Sequence, residues 1–75
     1  MENELYQQAR EAVARAELLS LAAETDIQRQ AVQKEIQRAR HALQSAFAKS
    51  SPAEQDQLAM MEDHLHSIGE NDSYF

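Results

Sequence analysis

Three histidines and thirteen carboxylates hold most of the chemical potential of this 75-residue chain, and their spacing decides how much of it can be used. His64 and His66 stand two apart, which on a helix turns them to different faces. A helical metal pair needs a separation of three or four. His41 falls on the solvent side of its own helix. No metal site and no cofactor are expected. The carboxylates are numerous but unorganised, and catalytic pairs need an enclosed pocket that shifts their pKa. There is no cysteine, no Gly-rich phosphate loop and no serine beside a His–Asp pair. Ser50 and Ser51 are accounted for by a turn and its cap. The chain is therefore not expected to be an enzyme.

Charge is the next candidate for chemistry. The net charge is −6, with 13 acids against 7 bases, which speaks against general nucleic-acid binding. The distribution runs acidic, basic, acidic. Residues 1–28 set six acids against Arg10 and Arg15, and residues 50–75 carry six acids and no Lys or Arg. The middle holds Arg29, Lys34, Arg38, Arg40 and Lys49 against Glu35 alone. No stacking aromatics interleave with that basic run, so it is better placed beside the acidic last helix. A small nucleic-acid-binding regulator is the least favoured reading.

These residues need elements to hold them, and the composition supplies helices only. Ala, Gln, Glu, Leu and Arg dominate, while one Gly and one Pro leave little material for strands or hairpin turns. At 75 residues the chain is one small domain, near the size where a single core is marginal. No run is long and apolar enough for a membrane span, and the N-terminus is not a secretion signal. A soluble cytoplasmic protein is expected.

The sharpest boundary is Ser50-Ser51-Pro52-Ala53-Glu54. Ser51 suits an N-cap, Pro52 the first helical position, and Glu54 the third position of a capping box. A helix should end near Lys49 and another should start at Pro52. The latter carries Leu58, Met61, Leu65 and Ile68 at 3-4-3 spacing, with Gly69 as its C-cap and residues 69–75 as a tail. So short a turn makes the two helices antiparallel neighbours. Facing residue numbers then sum to about 101: Leu43 meets Leu58, Ala39 meets Met61, Ile36 meets Leu65 and Val32 meets Ile68. The same register brings Arg40 near Glu62 and Arg38 near Asp63. Met60 is left at the edge as an adaptable thioether, and Tyr74 and Phe75 read as tail or as a terminal anchor.

Residues 3–49 pose a harder question. At about 100° per residue, Leu5, Ala9, Ala12, Val13, Ala16, Leu19, Ala23 and Ile27 line one side, while Ala14, Leu18, Leu21, Val32, Ile36, Ala39, Leu43, Ala46 and Phe47 line roughly the other. Thr25 with Gln28 can form a capping box, which would break the stretch near residues 24–26 and give a three-helix bundle. With no Gly or Pro at the joint, a continuous or mildly kinked helix is favoured. The expected fold is thus all-α: an antiparallel hairpin with a long first helix, about 70 Å if straight at 1.5 Å per residue, and a shorter last one. That last helix would cover residues 32–49 only. Leu5, Ala9, Ala12, Ala16 and Leu19 would then be bare, and are the candidate partner-binding residues.

The stretches Ile36-Gln37-Arg38-Ala39-Arg40-His41-Ala42-Leu43 and Ser51-Pro52-Ala53-Glu54-Gln55-Asp56-Gln57-Leu58, with the run to Ile68, resemble the small E-type co-chaperones of type III secretion needle assembly. The resemblance covers residues 32–68. Asp56 stands where that family often has an aromatic, and the N-terminal helical segment is longer than usual there. The resemblance implies a virulence-associated chaperone function in the bacterial cytoplasm: pairing with a TPR-like helical-repeat chaperone and, through it, guarding a needle subunit. The alternative is a structural homo-oligomer in which the N-terminal stripes pair as a helical bundle or coiled coil.

Overall fold

Helix formation starts at Asn3, whose Oδ1 accepts the Leu5 N–H at 3.0 Å. It opens α1 (Glu4–Ala22), which is followed by α2 (Asp26–Ala48) and α3 (Pro52–Asp72). The computed structural model describes residues 3–72, with side-chain surroundings for residues 3–70; Tyr74 and Phe75 lie outside the described residues. Every described element is α-helical.

The expected rod from residue 3 to residue 49 is not present. Ala23 is extended, at φ −71° and ψ 127°, and Thr25 likewise, at φ −109° and ψ 163°. The break is held by side chains rather than by Gly or Pro. Thr25 Oγ1 accepts the Gln28 N–H at 3.1 Å, and Gln28 Oε1 accepts the N–H groups of Thr25 and Glu24 at 3.0 and 2.7 Å. Two of the backbone donors that a helix start would leave unpaired, and the Glu24 N–H ahead of them, are thereby satisfied.

Burial decides in favour of the break. Folding α1 back places Ala9, Val13 and Ala16 in one core with Val32, Ile36, Ala39, Leu43, Ala46, Leu58, Leu65 and Ile68. Leu5, Tyr6, Ala12, Ala23, Ala42 and Met61 pack against its edge. A fully buried large side chain contributes roughly 1.5–3 kcal/mol, so a stripe of this length outweighs a few lost helical hydrogen bonds, most of them replaced by the cap.

The helices run up, down and up. Asn3 Nδ2 donates to the Lys49 carbonyl at 3.2 Å and to Ser50 Oγ at 3.3 Å, so α1 begins where α2 ends. Glu17 meets His64 with the same sequence offset as Asn3 with Ser50, 47 residues, which makes α1 and α3 parallel. The molecule measures 40 × 17 × 15 Å. At the second turn Ser51 and Glu54 form the box that the sequence predicts, with Ser51 N–H donating to Glu54 Oε1 at 3.0 Å and Glu54 N–H to Ser51 Oγ at 3.4 Å. Leu43 and Leu58 line one depression, and Arg40 shares another with Glu62 and Asp63. Two local expectations differ. Arg38 turns to Glu35 on its own helix at 3.3 Å rather than to Asp63. Gly69 does not end α3, which runs on to Asp72 with no positive φ. Packing does not require a glycine there either, since a Cβ at Gly69 would stand at an ordinary contact distance, 3.7 Å, from Ile36 Cδ1.

Candidate functional site

The break in the rod moves the apolar surface. Of the residues expected to face a partner, Ala9 and Ala16 are fully buried, and Leu5 and Ala12 are partly buried against the core. Only Leu19 stays exposed, at 37%. The stripe is sheltered by α2 and α3 of the same chain, so the ground for assigning Leu5, Ala9, Ala12 and Ala16 to a partner is gone.

Among the other exposed large apolar side chains, Leu18, Leu21 and Ile27 lie near the α1–α2 connection, while Met60, 65% exposed, and Phe47, 45% exposed, lie elsewhere. Leu18 is 67% exposed, Leu21 78% and Ile27 79%, with Ala14 and Ala22 exposed beside them in sequence. Leu18 and Leu21 are three apart and share the outer face of α1, next to Ala14 and Ala22. Ile27 is the second residue of α2, directly after the Thr25 cap. The fold itself puts them there. The core takes the α1 stripe through Ala9, Val13 and Ala16, and the α1 part of the second stripe, Leu18 and Leu21, is left outside. Single exposed hydrophobics are ordinary; here Leu18 and Leu21 share the outer face of α1, and Ile27 stands exposed at the start of α2 across the three-residue connection.

The charge around this end is negative. Glu24 lies in the connection, Asp26 opens α2, and the parallel run of α1 and α3 brings Glu70 to the same level. Two bases stand nearby: Arg29, whose guanidinium meets Asp26 at 3.3 Å, and Arg15, exposed on α1 one turn before Leu18. Glu70 accepts from His66 at 3.3 Å on its own helix.

Elsewhere the surface offers less. A depression of about 220 Å³ between α2 and α3 is lined by Leu43, Gln44, Phe47, Leu58 and Glu62, below the roughly 300–1,000 Å³ of small-molecule pockets. Arg40, Ala59, Glu62, Asp63 and His66 line a larger, open one, where Glu62, Asp63 and His66 are exposed to water. That setting lacks the enclosure that acid–base chemistry needs. Among the described residues no group of three or more His, Cys, Asp or Glu side chains could hold a metal ion, and no helix is long and apolar enough to cross a membrane. His64 sits across from Glu17 at 3.1 Å, as an inter-helix contact.

Sequence reasoning put Leu18 and Leu21 on the stripe shared with Val32 and Ile36, and Ile27 on the opposite one, and counted none of the three as partner-facing. The Thr25–Gln28 box was the available signal, since a helix that stops there cannot carry that stripe into α2.

A family model described as "Protein of unknown function (DUF3813)" matches residues 1–68, and the chain belongs to that family. No curated protein and no solved structure matches it.

Proposed function

We propose that this member of the family is a protein-binding module that docks a partner through the apolar end of its bundle. The observation that carries the reading is the exposure of Leu18, Leu21 and Ile27 in a chain whose other apolar stripe is already covered. Side chains of this size left in water at one end contribute little to the isolated fold, whereas burial against a partner would contribute roughly 1.5–3 kcal/mol each. The binding would stabilise the folded chain by mass action. The narrower reading, pairing with a helical-repeat chaperone in type III secretion, rests on the resemblance of residues 32–68 alone, and the surface it would have used lies inside the bundle.

Photo-crosslinking tests the docking end. A benzophenone side chain at Leu21 should give a discrete adduct that disappears when Leu18 and Ile27 are changed to Ser. The same group at Ser45, which is exposed on α2 toward the opposite end, should give none. Equal adducts at both positions, or an adduct at Leu21 that survives the Ser substitutions, would remove the reading.

A further inference from the structure

We draw no further inference here: the strongest candidate, the exposed apolar side chains Leu18, Leu21 and Ile27 at the α1–α2 end of the bundle, belongs to the surface already described, and nothing in the structure shows what covers it.

Discussion

Asn3 shows how much one side chain can join. Its Oδ1 caps α1, and its Nδ2 reaches the Lys49 carbonyl and Ser50 Oγ at the far end of α2. Removing it loses an N-cap, worth about 1 kcal/mol, together with two bonds that fix the start of α1 against the second turn. Asn3→Ala should therefore lower the unfolding free energy by about 1–2 kcal/mol in urea denaturation, and Asn3→Asp, which keeps the acceptor and loses the donor, should fall between. An Asn3→Ala variant as stable as the parent would show that this tie is not formed. The sequence reading places residue 3 inside the first helix and draws neither half of this role from it; the tie to Lys49 links positions 46 residues apart and needs the fold. The Ser51–Glu54 box was fully legible, since both of its partners lie within one turn.

At the scale of elements the contest was between propensity and burial. The stretch around Glu24-Thr25-Asp26 is surrounded by good helix formers, and propensity alone favours continuity. Tertiary packing outweighs it, because most helical stability in proteins comes from a covered face. A sequence shows the stripe on α1 but not that the same chain returns to cover it. Gly69 misled as well: it takes no positive φ, and α3 runs through it to Asp72. The distinction is measurable at two neighbouring alanines. Ala16 is fully buried and Ala14 is exposed. Ala16→Leu should destabilise by about 1–3 kcal/mol through overpacking, and Ala14→Leu should change stability by no more than about 0.5 kcal/mol. Equal tolerance at both positions is the result expected of a rod, and it would contradict the bundle.

Taken whole, the molecule is a bundle 40 Å long that uses its α1 stripe internally and turns a different apolar group outward at one end. The α2 and α3 core residues Val32, Ile36, Ala39, Leu43, Leu58, Leu65 and Ile68 were legible from periodicity, and all are buried. The outward group was not, because its exposure follows from where the chain bends. The most direct measurement is the relaxation of each methyl group in the isolated chain by a soluble paramagnetic agent, read residue by residue in one NMR experiment. Leu18, Leu21 and Ile27 should relax strongly, while Val13, Ile36, Leu43, Leu58 and Leu65 stay protected. Val13 relaxing as fast as Leu21, or Leu21 and Ile27 as protected as Leu65, would contradict the account.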